Sequence, residues 1–384
     1  MKIAITGPAD PASFARWLPP VQSLPAGIGG TPVTRLTRAL LDLGHNVHLL
    51  TVSRDVARPL DLQGENFRLT VVPYRHRARE RAKDLFREER RYLLGHLRDS
   101  GPDVVHAHWT YEFAWASLAG SANVLVTAHD APLSVLRYSP DIYRAIRTGM
   151  AYYVRAGIQH LTVVSPYLAK QWRRQMAYRR DIRVIPNPIP DLRPAGEAAD
   201  KGPIVLDIAD ASPRKNVQRL IQSFGQVRRV LPKAELRLVG PGLGPCDPMA
   251  TWASKEELGT NVSFLGELDR PQVERQLDQA AVLCHPSLEE AQPMCLLEAM
   301  AKRVPIIGGR SSGGVPWTLQ GGRCGVLVDV RSTDDLARNM LRLLRASKER
   351  ESLAAAAFEF VYTRFAPEYI AQQYIESYRS ILSA

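Results

Sequence analysis

Short runs rich in Val, Ile and Leu recur at 2–6, 47–52, 68–73, 103–107, 123–128, 161–165 and 183–185, with helix-period segments between them. Apolar runs of this length that alternate with helical patterns predict a parallel sheet with helices on its faces. The series starts again at 203–208, 235–239, 261–265, 281–284, 304–307 and 325–328. Between the two lies a proline-punctuated stretch from Pro186 to Asp200, which reads as a linker and places a boundary near 190–200. The pattern predicts an α/β chain of two doubly wound Rossmann-like domains, 1–190 and 200–366. The first helix of each half is clear: Val33, Leu36, Thr37, Leu40 and Leu41 share one face, as do Val217, Leu220, Ile221 and Phe224. Ligands of doubly wound sheets bind beyond the carboxyl ends of the strands, so two such domains face to face would form a cleft. The long loop ahead of Val33, with Gly27, Gly29 and Gly30, reads as functional.

Composition narrows the class. The 384 residues are 45% hydrophobic and 23% charged, which excludes whole-chain disorder. The longest uncharged stretch, Trp17 to Thr34, is broken by four prolines and predicts no membrane-spanning helix. The first residues read as a strand rather than a secretory signal, so a cytoplasmic protein is expected. Cys246, Cys284, Cys295 and Cys324 have no C-x-x-C spacing, the nine histidines form no H-E-x-x-H, and no structural metal is expected. The net charge of +11 is uneven: residues 1–190 carry 26 Lys and Arg against 15 Asp and Glu, while the remainder is balanced. That asymmetry suits an anionic ligand or surface; simple solubility is the plainer reading.

Several motifs carry candidate chemistry. Gly29-Gly30-Thr31-Pro32 offers free amides at a helix start, suited to phosphate, and is also ordinary turn chemistry. Gly240-Pro-Gly-Leu-Gly244 resembles a dinucleotide fingerprint but runs into Pro245, Asp247 and Pro248, so no nicotinamide site is read there. Gly309-Arg-Ser-Ser-Gly313 matches a nucleophile elbow at Ser311, yet no histidine follows His285, and a ligand loop is preferred. There is no P-loop and no Asp-x-Asp pair, which disfavours a metal-bridged sugar transferase. The densest segment runs from Glu289 to Ala301, with Glu290 at a turn and Glu298 placed on the first turn of a helix. Such carboxylates can accept from vicinal hydroxyls while turn amides hold phosphate; alternatively they are two acids at a helix dipole.

Taken together, Glu290-x7-Glu298 with Leu-Glu-Ala-Met-Ala, Gly313-Gly-Val-Pro316, Arg214-Lys215-Asn216, the early Gly29-Gly30 and Val104-Val-His-Ala-His108 resemble the retaining GT-B glycosyltransferases of family 4, over almost the entire chain. The resemblance implies transfer of a sugar from a nucleotide diphosphate sugar to a carbohydrate or lipid-linked acceptor, without metal or other cofactor. Glu298 would hold the ribose and Glu290 would face the donor sugar. Lys215, Arg214 and the amides of Met294 and Cys295 would meet the diphosphate, Gly29 and Gly30 would close the phosphate site, and the base would rest near Leu268. His129, in Thr127-Ala-His-Asp130, would line the sugar site; of His106 and His108, at most one is expected to reach it. Departures from the family pattern are Asp210, Pro293 and Trp317.

The resemblance further implies a bacterial surface polysaccharide or glycolipid pathway, and a final helix, 367–384, packing back on the first domain. Residues 79–99 predict one amphipathic helix, and the basic, aromatic segment 171–180 is a second candidate for anionic headgroups, as on the inner face of the cell membrane. A non-catalytic nucleotide-sugar or polysaccharide binder on the same fold is the alternative. A nucleic-acid binder is disfavoured, since no recognised nucleic-acid module occurs.

Overall fold

A computed structural model describes residues 1–190, 192 and 202–383. The chain forms two compact units, Met1–Pro188 with Ala366–Ala384, and Ile189–Phe365. Most of the expected linker, 191 and 193–200, lies outside the described residues.

The first unit has eight strands: β1 (Lys2–Thr6), β2 (Asn46–Ser53), β3 (Leu60–Gln63), β4 (Phe67–Pro73), β5 (Val104–His108), β6 (Val124–Ala128), β7 (His160–Val163) and β8 (Ile182–Val184). Their order is β3-β4-β2-β1-β5-β6-β7-β8, parallel except for β3, which pairs antiparallel with β4 at the edge. The core packs Ile3, Ile5, Leu36, Leu40, Leu49 and Leu69 with Tyr374 and Tyr378 of the last helix, Pro367–Leu382. That helix therefore belongs to the first unit.

The second unit is wholly parallel: β9 (Ile204–Ile208), β10 (Glu235–Val239), β11 (Val262–Gly266), β12 (Val282–His285), β13 (Ile306–Gly309) and β14 (Val326–Val328), in the order β11-β10-β9-β12-β13-β14. This is the 3-2-1-4-5-6 order of a doubly wound sheet, and its direction of winding switches between β9 and β12. A crevice at the carboxyl ends of those two strands is the expected ligand position.

Two surface expectations are corrected. Residues 79–99 are not one helix but two, Ala78–Lys83 and Arg87–Ser100, parted by Leu85 and Phe86 at φ 54° and 59°. Arg75 donates to Asp84 at 2.9 Å and to Glu89 at 2.6 Å, and the reversal between those acids turns Phe86 into the core. In 171–180, Trp172, Met176 and Tyr178 are buried, and Trp172 Nε1 donates to the Asp130 carbonyl at 3.0 Å. Its aromatic residues are core, and its four arginines, with Ala177, face solvent.

Candidate functional site

At the switch point, β9 leads into a turn carrying Arg214, Lys215 and Asn216, and β12 leads into Pro286–Glu290. The two loops are laced together. Asn216, in the left-handed region at φ 58°, donates through Nδ2 to Pro286 O at 3.2 Å and Val330 O at 2.8 Å. The Leu288 amide donates to Arg214 O at 2.8 Å, and Arg214 returns a bond to Glu289 O at 2.9 Å. The Gly314 amide donates to Glu290 O at 2.7 Å, so the Gly313–Pro316 motif also rests on this turn.

The lacing gathers charge on one carboxylate. Lys215 Nζ lies 2.6 Å from Glu290 Oε1 and Arg214 Nη1 lies 3.3 Å from Oε2. Burial alone would raise the Glu290 carboxyl, but Lys215, a hydrogen bond from His285, and Arg214 hold it well below the usual carboxylate range. Lys215 shows the complement: burial disfavours its charge, Glu290 outweighs that, and the ammonium is held above its ordinary value. Two cations poised on a buried acid can turn toward a polyanionic ligand without being built anew.

Helix Met294–Ala301 starts beside this group, with Pro293 as its N-cap and no side-chain cap. Met294 and Cys295 are its first two residues, and their amides have no intrahelical acceptor. Glu298 falls on the second turn, not the first as expected, because the helix begins only at Met294. It is half-buried and its carboxylate accepts no hydrogen bond from the described residues; burial pushes that carboxyl up, with Arg270 opposing and Glu274 adding. Leu268 lies between β11 and helix Arg270–Gln279, partly buried on the same apolar cluster as Met294. Of the departures, Asp210 accepts from the Ser212 amide at 2.8 Å, and Trp317 packs on Phe365 at 5.9 Å between ring centroids.

In the first unit, His129 follows β6 and is half-buried, its Nε2 2.9 Å from His108 Nδ1. Burial lowers the His129 ring to about 4, with a hydrogen bond to Asn187 opposing, so it is neutral at physiological pH. His106 and His108 are two apart on β5 and hence share a face, their rings 4.1 Å apart. His106 is a core residue, bonded to Tyr378 OH at 2.7 Å and Thr127 Oγ1 at 2.6 Å; His108 is the one that reaches His129. Gly29 and Gly30 both have positive φ, 101° and 86°, and Gly30 caps helix Thr31–Asp42. A Cβ on Gly30 would sit 1.9 Å from Pro8 O, whereas one on Gly29 would meet nothing within 4 Å. Gly30→Ala is therefore expected to cost more than about 2 kcal/mol in urea unfolding of the full chain, and Gly29→Ala about 1. Equal costs would show that the close approach to Pro8 is not what requires Gly30.

The two-unit architecture is the GT-B glycosyltransferase fold. A sucrose-phosphate synthase from Thermosynechococcus elongatus superposes with a TM-score of 0.80 at 22% identity, covering 100% of this chain and 99% of that one. Residues 188–360 match the family model "Glycosyl transferases group 1" and residues 29–192 match "Glycosyltransferase Family 4". The chain belongs to the group 1 glycosyltransferases. It is 25% identical over 382 residues to an N-acetyl-alpha-D-glucosaminyl L-malate synthase of Bacillus anthracis, covering 92% of this chain and 95% of the relative. It is 26% identical to a GDP-mannose-dependent alpha-(1-6)-phosphatidylinositol monomannoside mannosyltransferase of Mycobacterium tuberculosis, over 64% of this chain and 66% of the relative.

Sequence reasoning found Arg214, Lys215, Glu290 and Glu298 but missed two charged residues beneath them, Asp207 and His285. His285 Nδ1 lies 2.9 Å from Asp207 Oδ1, and its Nε2 lies 3.2 Å from Glu290 Oε1. The available signals were an acid inside the apolar run Val205-Leu-Asp-Ile208 and a histidine closing the next strand.

Proposed function

We propose that the protein transfers a sugar from a nucleotide diphosphate sugar to an acceptor hydroxyl with retention of anomeric configuration and without a metal. The observation that carries this reading is Arg214 and Lys215 converging on buried Glu290 at the sheet's switch point, beside an uncapped helix start. As the glycosidic bond breaks, negative charge grows on the diphosphate, and Lys215, Arg214 and the amides of Met294 and Cys295 stabilise it. Glu290 faces the positive sugar, Glu298 accepts from the ribose hydroxyls, and the base rests near Leu268. In the first domain the same reading assigns phosphate contact to Gly29 and Gly30 and sugar contact to neutral His129. The leaving phosphate itself helps deprotonate the acceptor, which attacks from the same face.

The acceptor is a carbohydrate or lipid-linked hydroxyl in surface polysaccharide or glycolipid synthesis, a reading supported by relatives whose names include a phosphatidylinositol mannoside mannosyltransferase. The basic excess in residues 1–190 supports peripheral contact with an anionic cytoplasmic membrane face.

A donor nucleotide should raise the melting temperature, because a ligand that binds only the folded state at 100 times its Kd adds about 2.7 kcal/mol. UDP, GDP and ADP are compared on wild type and Glu298→Ala. A shift with one nucleotide that disappears in the variant is expected; no shift with any of them removes the donor-site reading. The Glu298 carboxylate accepts no hydrogen bond from the described residues, so the unliganded variant should melt close to wild type.

A further inference from the structure

Asp207 in β9 and His285 at the end of β12 are both wholly buried. A charged pair in the interior of a parallel sheet is costly unless each member is satisfied. Here the satisfaction is incomplete: Asp207 Oδ2 has no hydrogen-bond partner among the described residues. The fold alone gives no reason for the pair, since neighbouring Val205, Leu206, Val282 and Leu283 build ordinary apolar core.

The geometry around the ring fixes its state. A neutral imidazole offers one N–H and one lone pair. His285 instead faces a carboxylate oxygen at each nitrogen, Asp207 Oδ1 at 2.9 Å and Glu290 Oε1 at 3.2 Å. Two ionised carboxylates are both satisfied only by the doubly protonated ring. The other groups around it are Cys295 Sγ, 3.7 Å from Nδ1 on helix Met294–Ala301, and, across Glu290, Lys215 and Arg214 from the turn after β9.

Glu290 is thus gripped from two sides. Lys215 and Arg214 hold it on one side, and His285, backed by Asp207, holds it from within the sheet. A nucleotide diphosphate competes with Glu290 for both outer cations. Once they turn to the phosphates, the inner imidazolium is the countercharge left to Glu290.

We propose that Asp207 and His285 are positioning residues, an imidazolium anchored by a buried aspartate that keeps Glu290 ionised and fixed toward the sugar while Lys215 and Arg214 serve the diphosphate. The proposal rests on the nucleotide-sugar reading above. No bond forms or breaks at His285, and no proton leaves it during turnover. Burial disfavours the charged ring, but Cys295, Asp207 and Glu290 together outweigh it and hold the imidazole well above its ordinary value of 6.5. For a raised histidine, the charge is full below the ordinary value, persists through neutrality and disappears as pH rises through the raised value. Activity that depends on this charge therefore falls on the alkaline side.

Asp207→Asn is the decisive variant, because it keeps an oxygen for Nδ1–H and removes only the charge; His285→Gln accompanies it. Each is compared with wild type for affinity toward the stabilising nucleotide and for kcat of donor-sugar hydrolysis across the neutral and alkaline range. The expected result is nucleotide affinity within about threefold of wild type and kcat lower by about tenfold or more, the equivalent of one pKa unit of lost interaction. The alkaline fall in kcat should also move to lower pH in Asp207→Asn, since its imidazolium has lost one carboxylate. If His285→Gln fails to fold, Asp207→Asn decides alone. A wild type that binds and hydrolyses donor while Asp207→Asn matches its kcat and pH profile overturns this proposal and leaves the donor site standing. Nucleotide affinity that falls in parallel with kcat also overturns it, because the pair would then only support the loop. A wild type that binds no nucleotide removes the donor-site reading and this proposal with it.

Discussion

Lys215→Ala is expected to lower kcat for donor-sugar hydrolysis by about 10²- to 10³-fold, the usual cost of losing one donor to developing negative charge. In the unliganded site the ammonium sits 2.6 Å from Glu290 Oε1 and is held charged well past neutrality. On the proposed reading the diphosphate gains its extra charge only as the glycosidic bond breaks, so its interaction with Lys215 would be stronger in the transition state than in the bound donor. Hence kcat should fall more than KM rises. Lys215→Arg should recover little of this. Lys215 meets one carboxylate oxygen as a compact point charge, whereas arginine is a planar fork suited to two oxygens, and Arg214 already occupies the other one. Steady-state hydrolysis of the donor whose nucleotide stabilises the wild type measures both variants. An unchanged kcat in Lys215→Ala would remove the phosphate from this lysine's neighbourhood.

Much of this site could be read from the chain, for a physical reason. Among the described residues, thirteen of the fourteen strands stand out because buried parallel strands are short, nearly continuous apolar runs, and doubly wound topology then points to which strand ends carry the ligand. The missing strand, β3, reads Leu-Asp-Leu-Gln at a sheet edge and is tied to β4 partly by Arg68 on Asp61, a pairing no local pattern announces. Glu290 and Lys215 were legible through motif spacing. Asp207 and His285 were not, because a single polar residue inside an apolar run has no periodicity of its own, and its partner is 78 positions away. Trp172 and Tyr178 misled in the opposite direction. Beside four arginines they resemble a headgroup-binding patch, yet each aromatic ring lies on the inward face of its turn and each arginine on the outward one.

Ending the chain at Phe365 is expected to unfold the first unit while sparing the second. The removed helix, Pro367–Leu382, buries Ile370, Tyr374, Ile375 and Tyr378 in the core of residues 1–188. Each such side chain contributes about 1.5–3 kcal/mol, so four of them rival the whole 5–15 kcal/mol by which a domain is stable. Tyr378 OH also lies 2.7 Å from His106 Nδ1, and truncation leaves that ring nitrogen without its partner, Thr127 still meeting Nε2. In the intact fold burial holds the ring at about 3, so it is neutral there. Limited proteolysis separates the outcomes: a resistant fragment of the second unit should survive and residues 1–188 should be digested. Tyr378→Phe, which keeps the ring and removes only the hydroxyl, should cost about 1–3 kcal/mol and leave the full chain folded. A resistant first unit in the truncated chain would mean that its core closes without the returning helix. The helix would then be a clasp laid on a domain already complete, rather than part of what folds it.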